Sequence, residues 1–230
     1  MKKNILIIGG SYGIGFFIAQ SLQKDFNIYI ASRTKGGLDD LNTTYIQFDA
    51  AKDNLNLSLL PEQIHGFAYM PGSIDLKPFK RMELETFKSD MEINFFYMVK
   101  VVKDIMPRMA DNSSMIFFSS VAAGSGMPFH TSIAASKGAI EGFARSMAAE
   151  YAPKIRINVI APSLVDTPLA SKLLNNDKKQ ENMANRHPLK RIGNAQDIGN
   201  TALFLLSDKS SWITGQVIAV DGGISTLKTN

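Results

Sequence analysis

Short runs of consecutive apolar residues alternate along the chain with longer stretches in which apolar residues recur every three or four positions. The first run, Ile5–Ile8, is four aliphatics without alternation, the pattern of a parallel strand covered on both faces. A helical pattern follows at once, with Ile14, Phe17, Ile18, Ser21 and Leu22 on one side. Further strands are predicted at Ile28–Ala31, Tyr45–Phe48, Ile64–Met70, Met115–Phe118, Ile155–Ala161 and Gln216–Val220. Between them, a long helix is expected over Glu83–Met109, with Met91, Phe95, Met98, Val99 and Val102 as its apolar stripe. A second helix covers Ser132–Tyr151 and is rich in small residues (Ala134, Ala135, Gly138, Ala139), and a third covers Ala195–Leu206. A polar, basic, helical excursion runs through Leu169–Arg191. This alternation predicts an α/β fold: a doubly wound parallel sheet of about seven strands with helices on both faces. With no repeat, low-complexity tract or linker, residues 1–230 read as a single domain.

Composition narrows the chemistry. The chain has no cysteine, which excludes disulfides, thiolate nucleophiles and cysteine metal sites. Its three histidines, His65, His130 and His187, are far apart in sequence, so no metal site is expected. The net charge of +4 is spread among acids rather than gathered in a stripe, which argues against nucleic acid as a partner. Lys2 and Lys3 precede an apolar run, but that run breaks at Gly9-Gly10 and reads as a strand rather than a leader. No apolar segment approaches membrane-spanning length. The expectation is a soluble cytoplasmic protein acting on a small molecule.

The turn after the first strand carries glycines at Gly9, Gly13 and Gly15, around Ser11, Tyr12 and Ile14. Gly9 allows a tight exit from the strand, Gly13 lets backbone N–H groups approach a pyrophosphate, and Gly15 lets the helix pack close to the sheet. In such a sheet, ligands sit at the carboxyl ends of the strands. The polar residues gather at those ends: Gly9–Gly15, Ser32–Lys35, Asp49, Pro71-Gly72, Ser120 and Pro162–Thr167. Cofactor choice is read after the second strand, where an Asp or Glu accepts hydrogen bonds from a ribose 2′-hydroxyl. Here the chain has Ala31-Ser32-Arg33-Thr34-Lys35 and no acid. A carboxylate would repel a 2′-phosphate, whereas Arg33 can grip one with two hydrogen bonds, which predicts NADP(H) rather than NAD(H).

These residues resemble the short-chain dehydrogenase/reductase family over nearly the whole chain. Ile8-Gly9-Gly10-Ser11-Tyr12-Gly13-Ile14-Gly15 is similar to that family's Thr-Gly-x-x-x-Gly-Ile-Gly. Asp49 matches its adenine-contacting Asp, Asn94 its active-site Asn, Ser120 its catalytic Ser, and Lys137 its catalytic Lys, which also holds the ribose. Pro162 through Thr167 resembles its Pro-Gly-x-x-x-Thr segment, with Ser163 in place of the glycine, and Val220-Asp221-Gly222-Gly223 resembles its closing strand. The resemblance implies a single-domain Rossmann-type fold and hydride transfer between nicotinamide and a carbonyl, hydroxyl or conjugated enone. It also implies a substrate lid at about 166–191 and a homodimer or homotetramer joined through the two long helices and the terminal strand.

The chain departs from that family where the proton is handled. The family's Tyr stands four residues before its Lys, so that both point at the nicotinamide. In this chain that position is Ile133, and no tyrosine lies between Tyr97 and Tyr151. The family's Asn-Asn-Ala-Gly after strand four is here Tyr69-Met70-Pro71-Gly72. His130, one turn before Ile133, is the first candidate for a replacement proton donor; Tyr97, Tyr69 and a water held by Ser120, Asn94 and Lys137 are others. The alternative is an NADP(H)-binding sensor or partner subunit with little or no turnover. The lid's Lys172, Lys178, Lys179, Arg186, His187, Lys190 and Arg191 read chiefly as the solvated face of two helices.

Overall fold

The computed structural model describes residues 2–228. Seven parallel strands form one sheet in the order β3-β2-β1-β4-β5-β6-β7. They are β1 (Asn4–Ile8), β2 (Asn27–Ser32), β3 (Thr43–Gln47), β4 (Ile64–Tyr69), β5 (Met109–Phe118), β6 (Ile155–Pro162) and β7 (Val217–Val220). The order runs one way from β1 to β3 and the other way from β4 to β7, so a crevice opens beyond the carboxyl ends of β1 and β4. The consecutive aliphatics of β1 divide between the two faces. Leu6 and Ile8 pack with Phe67, Phe117, Met98, Val102 and Ile140 on one side. Ile5 and Ile7 pack with Ile18, Ile198, Ala202 and Leu205 on the other. The first face is covered by α3 (Tyr97–Ile105) and α4 (Thr131–Tyr151), the second by α1 (Gly13–Leu22) and α6 (Ala195–Leu206). The predicted α/β class and doubly wound parallel sheet are therefore present.

The long helix expected over Glu83–Met109 is not continuous. It comprises α2 (Leu84–Met91), a wide turn at Glu92–Phe96, and α3, followed by a single tight turn at Met106–Arg108. In the wide turn the Tyr97 N–H reaches back five residues to the Glu92 carbonyl. Asn94 lies inside this turn, and its side-chain Nδ2 donates to the Asp90 carbonyl at 2.8 Å. A side chain thus takes up a carbonyl four residues back, one of the recognised causes of a distorted helix. Pro107 then forbids further helix, and β5 begins at Met109 rather than Met115. The outer half of β5, Ala-Asp-Asn-Ser, has no strand-like apolar signature, and its register against β4 shifts between Ile64 and Gly66.

The excursion before α6 contains a tight turn at Pro168–Ala170 and one helix, α5 (Asp177–Arg186). Asn176 caps α5 and Asn194 caps α6, each by accepting a backbone N–H on its side chain. Among the described residues, no helix is long and apolar enough to cross a membrane.

Candidate active site

Backbone packing fixes the β1–α1 turn. Gly13 has φ +54°, a left-handed value that side chains disfavour, and a Cβ there would press on Thr167 Cγ2 at 3.2 Å. At Gly15 a Cβ would sit 2.8 Å from the Gly10 Cα, so only glycine lets the helix approach the strand. Ser11 is buried, and its hydroxyl bonds to the Ser32 hydroxyl and the Thr34 carbonyl, tying the turn to the end of β2. Arg33 therefore stands on the exposed rim beside it, in none of the hydrogen bonds or ion pairs among the described residues. Its neighbour Lys35 pairs with Asp39. Tyr12 is exposed, and α1 begins with neither a side-chain cap nor an acid in its first turn, unlike α5 and α6. Asp49 lies half-buried just beyond β3, its Oδ1 accepting from the Ala51 N–H at 3.1 Å.

Below the crevice, four elements meet around Lys137. The α4 helix carries it inward until only 9% is exposed, and its Nζ donates to the Phe118 carbonyl at 3.0 Å. Burial draws the ammonium down to about 8, with the charge of Asp90 acting against that fall. The loop after β4 passes close over it: a Cβ on Gly72 would lie 3.3 Å from Lys137 Nζ and 3.1 Å from Asn94 Oδ1. Asn94 is wholly buried, accepting from the Ser73 N–H at 3.3 Å and donating to Ser73 Oγ at 2.8 Å. Ser120, at the end of β5, accepts from the Ala122 N–H at 3.2 Å and keeps its own hydroxyl proton free to donate.

Lys137, Gly72, Ser120 and Ile14 line one cleft of about 240 Å³, together with Pro162 and Thr167 from the end of β6. Most of its remaining wall is apolar, including Ile74, Leu76, Met127, Leu169, Leu173 and Ile224. Of the proton-donor candidates, His130 lines this cleft, and so does Ile133. The His130 Nδ1 lies 2.7 Å from the Pro128 carbonyl. A carbonyl only accepts, so Nδ1 carries the hydrogen and Nε2 is the nitrogen left to exchange a proton. Tyr69 and Tyr97 are not part of the lining. Burial, followed by the influence of Tyr97, raises the Tyr69 phenol well above its usual range, and its hydroxyl has no partner among the described residues. The Tyr97 hydroxyl bonds instead to Glu92.

One residue of the expected lid contradicts the solvated reading. His187 is only 3% exposed. Its Nδ1 contacts the Met183 carbonyl at 2.8 Å, and its Nε2 contacts Ser163 Oγ at 2.9 Å, so Ser163 donates to it. A neutral imidazole with one donor and one acceptor satisfies both contacts without paying for a buried charge. Ser163, standing where the resembled motif has glycine, supplies the partner that lets His187 be buried. Asp90 also went unnoticed in the sequence, because it lies among charged residues on α2 that read as a surface; only its two serine partners reveal it.

A parallel sheet with a glycine turn at its switch point and a lysine-centred cleft beneath defines a class of dinucleotide-type α/β proteins. The family model described as Enoyl-(Acyl carrier protein) reductase matches residues 10–225. The chain belongs to the short-chain dehydrogenase/reductase family. It is 30% identical to the 3-oxoacyl-(acyl-carrier-protein) reductase FabG of Chlamydia trachomatis, over 98% of each chain. With the L-xylulose reductase of Bos taurus it shares 28% identity over 96% of each. Among solved structures, a short chain dehydrogenase family protein from Francisella tularensis superposes with a TM-score of 0.91 at 27% identity, covering 99% of this chain and 100% of that one. Thermoplasma acidophilum aldohexose dehydrogenase gives 0.85 at 26% identity, covering 100% and 97%.

Proposed function

We propose that this protein is an NADP(H)-dependent oxidoreductase acting on a carbonyl or hydroxyl, or a conjugated enone, of a largely apolar small molecule. The observation that carries this reading is the buried Lys137, held by the Phe118 carbonyl and opening with Ser120 into an apolar cleft. The residues present fit the cofactor. The uncapped start of α1 offers backbone N–H groups and a positive helix end to a pyrophosphate, and Gly9, Ser11, Tyr12, Gly13, Ile14 and Gly15 would form that cradle. Arg33, unpaired on the rim, would take the 2′-phosphate, with Asp49 near the adenine. Gly72, Lys137, Pro162 and Thr167 would flank the ribose and nicotinamide. When bound, NADPH would supply the hydride.

The chain's own groups handle the oxygen and the proton. Ser120 donates its free hydroxyl to the substrate oxygen, and the Lys137 ammonium stabilises negative charge developing there. Asn94 braces the loop that brings Gly72 against Lys137. His130 passes the proton through Nε2, in place of the phenol that Ile133 cannot supply. The segment at about 166–191 serves as the substrate lid within a single domain of residues 1–230. For assembly we favour a homodimer or homotetramer through the α2–α4 faces and the terminal strand, since a Cβ on Gly138 or Gly142 of α4 would meet no atom of another element within 4 Å and Phe96 of the α2–α3 segment is exposed. Light scattering of the purified chain tests that assembly, and a monomeric mass removes it.

Single-turnover mixing of the protein with NADPH and a panel of apolar ketones and enones tests the function, read as loss of reduced-nicotinamide absorbance. Oxidation with at least one class is expected, together with tighter binding of NADPH than of NADH. Arg33→Asp should lower NADPH affinity by roughly 10–100-fold, the scale of losing a charge-assisted bidentate contact. Tight NADPH binding with no oxidation by any compound would instead favour the sensor alternative. Equal affinity for NADH and NADPH would remove the assignment of Arg33.

A further inference from the structure

Among the buried described residues there is one carboxylate, Asp90, at 3% exposure. Nothing in the reaction described above uses it. Its Oδ1 accepts from Ser73 Oγ at 2.5 Å and its Oδ2 from Ser132 Oγ at 2.6 Å. Ser73 Oγ also receives Asn94 Nδ2, which in turn donates to the Asp90 backbone carbonyl. One residue therefore joins three elements: its carboxylate holds the loop after β4 and the first turn of α4 beside Ile133, and its backbone carbonyl holds the wide turn through Asn94. The same loop brings Gly72 between Asn94 Oδ1 and Lys137 Nζ.

A buried carboxylate is costly unless it is hydrogen-bonded and balanced by charge. The serines provide the hydrogen bonds, and Lys137 is the one buried lysine or arginine among the described residues. The two do not form a direct ion pair; Asn94 and Gly72 lie between them. We propose that Asp90 is a positioning residue of the active site, a buried counter-charge for Lys137 that also locks the Asn94 turn to the head of α4. Only its use in catalysis rests on the oxidoreductase reading; the charge coupling does not.

Other groups face Lys137. On its own helix Glu141 follows one turn later, accepting from Ser119 Oγ at 2.6 Å. His130 precedes α4, and Arg186 and His187 of the lid line the same cleft. The strand ends contribute only the Phe118 carbonyl and the Ser119 and Ser120 hydroxyls. Of these, Asp90 is the charge that opposes the effect of burial on Lys137.

The test is NMR titration of the full chain carrying 13Cε-lysine, with the Lys137 resonance assigned by its absence in Lys137→Arg. Asp90→Asn should lower the proton affinity of Lys137 by about tenfold, roughly one pKa unit. Asp90→Val, which removes the charge without burying an amide in its place, should do the same if Asp90→Asn folds poorly. Glu141→Gln should move the midpoint by less than about threefold, as expected for a more exposed charge. The pH profile of NADPH oxidation gives the second readout. Activity that needs the ammonium falls as pH rises through its pKa, so removing Asp90 should shift that limb downward by the same amount while rates near pH 6 recover. An unchanged midpoint in a folded Asp90 variant overturns the proposal, and so does a shifted midpoint with an unmoved limb. If the wild-type chain oxidises no NADPH at all, the functional reading fails, and the titration still decides the coupling.

Discussion

The two ends of the cleft are held in place by different means. At the β1–α1 end, the turn is set by backbone approach: Gly15 lies against Gly10, and Gly13 lies beneath Thr167. Its side chains either point outward, as Arg33 and Tyr12 do, or tie the turn to β2, as Ser11 does. At the α4 end, the segments around Lys137 are held by buried side chains bonded to one another: Asp90 with Ser73 and Ser132, Asn94 with Ser73, and Ser163 with His187. Backbone geometry tolerates few substitutions and reads out as glycine spacing. A side-chain network can be rebuilt with other residues. The comparison explains how a family site can keep its cofactor turn while Ile133 stands where a phenol is expected.

The contrast can be broken at either end, with different readouts. Lys137→Met should show the largest effect, removing the ammonium beside Ser120 and slowing single-turnover hydride transfer by roughly 10²–10⁴-fold, the range of lost acid–base assistance. Loss confined to NADPH binding, with the chemical step unchanged, would reassign Lys137 to the cofactor end. Ile133→Tyr places a phenol one turn before Lys137 on the cleft wall and should raise the same rate by about a hundredfold, at the lower edge of that assistance. A rate that does not rise would show that the Ser120, Lys137 and His130 group already delivers the proton. Gly15→Ala should be felt as stability, because a Cβ 2.8 Å from the Gly10 Cα has backbone on its far side. A loss of about 1–3 kcal/mol is expected, visible as a fall in Tm of several degrees that added NADPH only partly restores. An unaltered Tm would mean that the turn can open, and the contrast drawn between the two ends would lose its basis.

What the sequence discloses follows the same division. The aliphatic run of β1 is buried on both sides and needs no partner to be recognised. The family and the glycine turn after β1 are legible because glycine spacing is a backbone statement. The break in the helix after α2 is not legible, since it arises from one amide of Asn94 competing for one carbonyl. The outer part of β5 is hidden for the opposite reason, being polar and held only by main-chain bonds such as Asn112 N–H to the Lys154 carbonyl. His187 sits in a basic stretch and reads as solvated, although Ser163 draws it inside. Burial of a polar residue depends on a partner distant in sequence, and no local pattern records that partner.

The wide turn at Glu92–Phe96 has a practical consequence for anyone comparing or engineering this chain. It acts as a one-residue shim, absorbing an extra position so that Asn94 faces the loop after β4 while Met98 and Val102 still meet the sheet. A residue of α-helix turns the chain by about 100°. Aligning 84–105 as an uninterrupted rod against a regular helix therefore rotates everything on one side of the shim away from its true counterpart. Straightening it into regular helix with every residue kept would swing the Met98 stripe off the core, even though no catalytic side chain had been touched.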